Sequence, residues 1–148
     1  MVKLRTILLA ENNPKDVELT IEALADNNLA NQVVVVRDGV ETLEYLRCQG
    51  KYKLRKEGNP AVVLLDIKMP RMDGIEVLRN IRSDAALKNI PVVILTSSRE
   101  ERDLITTYDL GVNAYVVKPV DFKQFIEAVK QLGVFWAVLN ELPPEKGQ

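Results

Sequence analysis

The sequence predicts an α/β domain in which five short parallel strands alternate with five helices, and three observations carry that reading. Apolar runs rich in Val, Leu and Ile recur through the 148 residues, and the run from Ala61 to Leu65 has no polar face at all. A run of that kind belongs to a strand covered on both sides, as in a parallel sheet. Between the runs, apolar residues recur at helical spacing behind capping residues, so each strand is followed by a helix that buries one face. The central run ends on a carboxylate, Asp66, and the loop beyond it carries Pro70 and Asp73-Gly74, which stop the strand and turn the chain toward a helix.

Thr6 to Ala10 is apolar and bounded by Glu11-Asn12-Asn13, which makes it a first buried strand. Asn13 and Pro14 then supply an N-cap and a first-turn proline for a helix whose inward positions are Val17, Ile21 and Leu24. Val33 to Val36 is the second strand. Asp38 with Glu41 forms a capping box before the Leu43 and Leu46 face of the second helix. Gln49 to Pro60, with Lys51, Lys53, Arg55 and Lys56, reads as a solvated connection of above-average length.

After the Asp66 strand, Asp73-Gly74 opens a third helix with Ile75, Leu78 and Ile81 inward. Pro91 to Leu95 is the fourth strand and runs into Thr96-Ser97-Ser98; Ser98 with Glu101 caps a fourth helix carrying Leu104, Ile105 and Leu110 and stopping at Gly111. Ala114 to Val117 is the fifth strand. Lys118-Pro119 follows it, and Asp121 with Gln124 caps a fifth helix with Phe125, Ile126, Val129, Leu132 and Trp136 as its inward stripe. Alternation of this kind implies right-handed crossovers, and for a doubly wound domain of this length the flavodoxin-like strand order 2-1-3-4-5. No repeat or low-complexity segment interrupts the single domain expected over residues 1–148.

Composition narrows the chemistry. A formal net charge of -1 gives no global field for nucleic acid or an anionic membrane. The basic 49–60 connection lacks an aromatic stacking array, so no nucleic-acid partner is expected. The single cysteine, Cys48, has no partner in the chain and sits at a helix-like position as a half-buried structural thiol. The absence of histidine excludes His-based metal sites, Ser-His triads and imidazole acid-base chemistry. No apolar stretch reaches the length of a signal core or a bilayer span, so a cytoplasmic setting is expected.

The strand ends assemble a site. Glu11 and Asn12 follow the first strand, Asp66 ends the third, Thr96 the fourth and Lys118 the fifth, and in a parallel sheet all of these share one edge. Two carboxylates brought together there repel unless a cation neutralises them, and Mg2+ is the hard cation suited to oxygen ligands beside a phosphate. Asp66 is the natural nucleophile, since carboxylates accept phosphoryl groups. Lys118 pairs with a carboxylate at rest and a phosphoryl oxygen later, and the Thr96 hydroxyl donates to such an oxygen.

These residues resemble the receiver domain of two-component response regulators. The likeness rests on Glu11, on Asp66-Ile-Lys-Met-Pro-Arg-Met-Asp-Gly74, on Leu95-Thr96-Ser97-Ser98, and on Gly111-Val-Asn-Ala-Tyr115-Val-Val-Lys118-Pro119. The resemblance implies a phosphorylated Asp66, Tyr115 as a switch aromatic, the Lys68 backbone carbonyl as a metal ligand, and a cis Lys118-Pro119 bond. It implies an output surface on the fourth helix, fifth strand and fifth helix, and no enzymatic role beyond self-catalysed phosphotransfer and dephosphorylation. One departure stands out: the usual pair of acids is Glu11-Asn12 here, and an amide ligates Mg2+ without charge, which predicts weaker metal binding.

Beyond Lys118 there is too little sequence for a helix-turn-helix output domain. Residues 132–148 read as an apolar extension of the fifth helix plus a Pro143-Pro144 tail. Val134, Phe135 and Val138 form a second apolar stripe there, which favours a homodimer. The long connection before Asp66 and the Phe-Trp and Leu-Pro tail resemble small single-domain regulators that serve phytochrome-type histidine kinases, implying such a kinase as phosphoryl donor. Two other classes compete. A phosphate-independent pseudo-receiver would keep the fold as an interaction module, which Asn12 makes possible. A flavodoxin-like redox enzyme or a phosphatase is disfavoured, because Glu11-Asn12-Asn13-Pro14-Lys15 lacks a Gly/Ser/Thr-rich phosphate cradle.

Overall fold

The computed structural model describes residues 6–25, 32–56, 58–106, 110–112 and 114–133. Five parallel strands, β1 (Thr6–Ala10), β2 (Gln32–Val36), β3 (Val62–Asp66), β4 (Val92–Thr96) and β5 (Tyr115–Val117), lie in the order β2-β1-β3-β4-β5. The helices α1 (Pro14–Ala25), α2 (Gly39–Arg47), α3 (Gly74–Ser83), α4 (Arg99–Thr106) and α5 (Phe122–Gln131) alternate with them. This is the doubly wound, flavodoxin-like arrangement expected from the alternation.

Alternate residues of each central strand feed opposite faces of the sheet. Leu8 and Ala10 join Val63, Leu65, Leu78 and Ile81 in one core, while Ile7 and Leu9 join Val62, Leu64, Phe125 and Val129 in the other. Every residue of β1, β3 and β4 is buried, which is why those runs carry no polar face. Each fully buried Leu, Ile or Phe contributes about 1.5–3 kcal/mol, and these cores fix the strand ends relative to one another.

The capping residues read in the sequence act as caps. Asn13 Oδ1 accepts from the amides of Lys15 and Asp16, Asp38 from Glu41, Asp73 from Glu76, Ser98 Oγ from Glu101, and Asp121 from Gln124. Three expected details differ. Ile21 is 38% exposed and Thr20 takes the inward position, its hydroxyl satisfied by the Asp16 carbonyl at 2.8 Å. Leu104 is 59% exposed while Ile105 is buried, because α4 presents a narrow strip to the sheet. Within α3, Val77 is buried and Ile75 only half-buried.

The 49–60 connection is fastened rather than merely solvated. It contains a 3-10 turn, Gly50–Tyr52, from which the Tyr52 ring meets Tyr45 edge-on with centroids 5.0 Å apart. Tyr52 donates to Glu41 Oε2 at 2.6 Å, and the Arg55 guanidinium lies 4.2 Å from the Tyr45 ring centroid while donating to the Tyr45 carbonyl. Basic residues that look solvated in sequence thus clamp α2. Cys48 is half-buried and ends α2 in a left-handed conformation. Val134, Phe135, Trp136 and Val138 lie outside the described residues, as does the rest of the 134–148 extension. Among the described residues no helix is long and apolar enough to cross a membrane.

Candidate functional site

At the carboxyl edge of the sheet, β1 and β3 run side by side, with Ala10 opposite Leu65, so the residues that follow and end them, Glu11 and Asp66, meet. Both carboxylates are buried. Asp66 Oδ1 accepts from the Ile67 amide at 2.9 Å, and Glu11 Oε1 accepts from the Asn13 amide at 3.2 Å, which fixes both groups from their own backbones.

Lys118, immediately after β5, reaches across the edge. Its ammonium lies 3.3 Å from Asp66 Oδ1, 3.4 Å from Glu11 Oε2 and 3.2 Å from Asp16 Oδ2. The peptide bond from Lys118 to Pro119 is cis. Burial works to lower the lysine's pKa, but Asp66, Glu11 and Asp16 outweigh it and hold the ammonium above its ordinary value. For Glu11, burial and then repulsion from Asp66 push the carboxyl up from 4.5 to about 7, against the smaller opposing pull of Asn13 N–H and Lys118. One lysine does not relieve two buried carboxylates.

Thr96, at the end of β4, is fully buried, and among the described residues its Oγ1 has no hydrogen-bond partner. A buried hydroxyl without a partner is costly, and it leaves Thr96 with a donor to offer at the sheet edge. The adjoining loop is tied down by Glu101, whose carboxylate accepts from Ser97 N at 2.9 Å and Ser97 Oγ at 3.1 Å and pairs with Lys68 at 3.5 Å.

The sequence-derived site therefore divides. Glu11, Asp66 and Lys118 converge. Asn12 is exposed and takes no part in the three ion pairs around Lys118. The Lys68 side chain points to Glu101, in the first turn of α4. Tyr115 stands apart from the carboxylates: it pairs with Ile94 in the sheet register, and its hydroxyl donates to the Val112 carbonyl at 3.3 Å. Asp16 was missed by sequence reasoning. The available signal was its place in the first turn of the helix that leaves the site, a turn that necessarily overhangs the sheet edge.

The donor set suits a hard divalent cation, since Glu11 and Asp66 offer carboxylate oxygens whose mutual repulsion a cation would relieve. Among the described residues no three His, Cys, Asp or Glu side chains are arranged to hold a metal unaided, so a cation here needs neutral oxygens and retained water as well.

Comparison with known proteins agrees with this geometry. Rcp1, a response regulator of Synechocystis sp. strain PCC 6803, is 36% identical over 139 residues, covering 94% of this chain and 93% of Rcp1. The structure of the bacteriophytochrome response regulator AtBRR superposes with a TM-score of 0.89 at 60% identity, covering 94% of this chain and 99% of AtBRR. The phosphorylated cyanobacterial phytochrome response regulator RcpA superposes with a TM-score of 0.72 at 42% identity, covering 96% of this chain and all of RcpA, 100%. Residues 7–130 match the response regulator receiver domain family. With strand order, buried acid pair and bridging lysine all in place, the chain belongs to the response regulator receiver domain family, whose members are signalling proteins rather than enzymes.

Proposed function

We propose that this chain is a phosphoaccepting response regulator of a two-component phosphorelay, with Asp66 as the acceptor and Mg2+ as its cofactor. The observation that carries the reading is the Lys118 ammonium 3.3 Å from Asp66 Oδ1 at the end of a buried strand.

An Asp66 carboxylate oxygen attacks the phosphorus of a phosphohistidine; the O–P bond forms as the N–P bond breaks, and the imidazole nitrogen leaves with the electron pair. Ile67 N–H holds Asp66 Oδ1 and orients the carboxylate for that attack. Lys118 moves its donors to a phosphoryl oxygen, and Thr96 donates to another. A divalent cation held by Glu11 and Asp66, with the Asn12 amide and the Lys68 backbone carbonyl as further oxygens, supplies charge neutralisation for the phosphoryl group when bound.

The phosphoryl group adds a charge of about -1.5 to -2. Drawing Thr96 toward it empties space behind β4, into which Tyr115 turns; its hydroxyl contacts of 3.3 Å to Val112 and 3.4 Å to Thr106 are long, which favours such a release. The output face is then α4, β5 and α5. Moving the population from 1:99 to 99:1 requires about 5.5 kcal/mol of preference for the active state.

Likeness to AtBRR and RcpA, both phytochrome response regulators, supports a phytochrome-type histidine kinase as donor. The apolar residues Val134, Phe135 and Val138 support a homodimer; sedimentation of Phe135→Asp against wild type tests it, and unchanged mass removes them from the interface. The phosphoacceptor reading is tested by intact mass after incubation with acetyl phosphate and Mg2+. Wild type gains one phosphoryl group and Asp66→Asn gains none. An unmodified wild type leaves the phosphate-independent interaction module in its place.

A further inference from the structure

The charge of the pocket does not come from the acid pair alone. Three carboxylates, from Glu11, Asp66 and Asp16, surround the Lys118 ammonium at 3.2–3.4 Å. With all three carboxylates ionised, as a bound cation would require, three against one ammonium leave two net negative charges, the charge that one divalent cation cancels. Without Asp16 the same pocket would carry one, because Asn12 brings none.

The three partners of Lys118 are not equivalent. Side-chain exposure is 1% at Glu11 and 5% at Asp66 but 28% at Asp16, so Asp16 holds the lysine from the solvent side of the pocket. It stands in the first turn of α1, whose cap is formed by Asn13, and its backbone carbonyl receives the Thr20 hydroxyl. Its backbone is therefore anchored by the helix cap, and from that anchor its carboxylate reaches the ammonium. An ammonium that must release Glu11 and Asp66 when a cation enters retains a fixed third partner there. At the same sheet edge Thr96, at the end of β4, brings a buried hydroxyl with no hydrogen-bond partner among the described residues.

We propose that Asp16 is a positioning residue of this site: it supplies the negative charge that Asn12 lacks and keeps hold of Lys118 while Glu11 and Asp66 turn to a divalent cation. The inference rests on the metal-binding reading above. Asp16 acts through its charge and through the lysine, consistent with the absence, among the described residues, of a ready three-carboxylate chelate.

The test is calorimetric titration of the full chain with Mg2+ at low and at physiological ionic strength. Asp16→Asn should bind about tenfold more weakly at low salt, with the gap narrowing as salt screens the charge. Asp16→Glu should stay near wild type, and Asn12→Asp combined with Asp16→Asn should regain wild-type affinity. A merely structural role for Asp16 would move neither the salt dependence nor the rescue. Wild-type affinity in Asp16→Asn overturns the role of Asp16 alone; absence of Mg2+ binding by the wild type overturns the metal reading together with it.

Discussion

Gly74 packs its backbone directly against the carbonyl of Asp66, so closely that a β-carbon would collide with that oxygen and come within 2.9 Å of the Ile67 Cα. The colliding atoms are backbone atoms of the strand end and cannot swing aside. Gly74→Ala should therefore cost about 1–3 kcal/mol of stability, the range of an overpacked core. Because the displaced oxygen belongs to residue 66, the rate of acetyl phosphate labelling should fall as well. Urea denaturation and labelling kinetics check both; a variant with wild-type midpoint and rate would show that α3 is free to retreat.

Glu11 sets a pH dependence of the metal-free protein. Its carboxyl titrates near 7 when folded and near 4.5 when unfolded, pushed up by burial and by Asp66. The folded state thus holds the proton more tightly, so this contribution is complete below pH 4.5 and is lost as pH rises through 7. The facing groups are Asp66, Lys118 and Asp16; the lysine's pKa is raised from an already high value and takes no part in this window. Stability should fall by roughly 2 kcal/mol between pH 5 and pH 8. Glu11→Gln should flatten that slope, measured as denaturation midpoints across the range.

Thr96→Val separates resting stability from response. The Thr96 hydroxyl is buried without a partner among the described residues, so replacing it with a methyl removes an unsatisfied polar group. The resting variant should match or exceed wild-type stability by up to about 1 kcal/mol. Phosphorylation at Asp66 should persist while the change around Tyr115 disappears, read from tyrosine resonances before and after labelling. Loss of stability instead would mean that the hydroxyl already has a bond at rest.

Tyr52→Phe tests the clamp on α2 without touching the site. Burial, and then the 2.6 Å hydrogen bond to Glu41, push the Tyr52 phenol well above its usual range, while that bond, Arg37 N–H and Lys51 outweigh burial to hold the Glu41 carboxyl low. Losing a hydrogen bond to a charged acceptor should cost about 1–2 kcal/mol. Mg2+ affinity and phosphorylation should be unchanged, and a shift in either would place the 49–60 connection in communication with the site.

Strand identity, helix caps and the strand-end residues were all legible in the sequence, because each is encoded within a few residues. Apolar runs specify buried strands, and Asp38, Asp73, Ser98 and Asp121 lie three residues before the amides they cap. Alternation then dictated a parallel sheet, and a parallel sheet gathers Glu11, Asp66, Thr96 and Lys118 on one edge.

What tertiary structure decided is which side chains touch. Asp16 meets Lys118 across 102 positions of sequence, and the pairing of Lys68 with Glu101 depends on how two loops rise from neighbouring strands. Helical periodicity marked Ile21 and Leu104 as inward, yet the width of the buried stripe depends on the packing of each helix against the sheet, and both residues fall outside it. Local patterns specify elements and caps through interactions a few residues long. The third carboxylate at Lys118 arises only when sheet register brings the end of β5 over the first turn of α1.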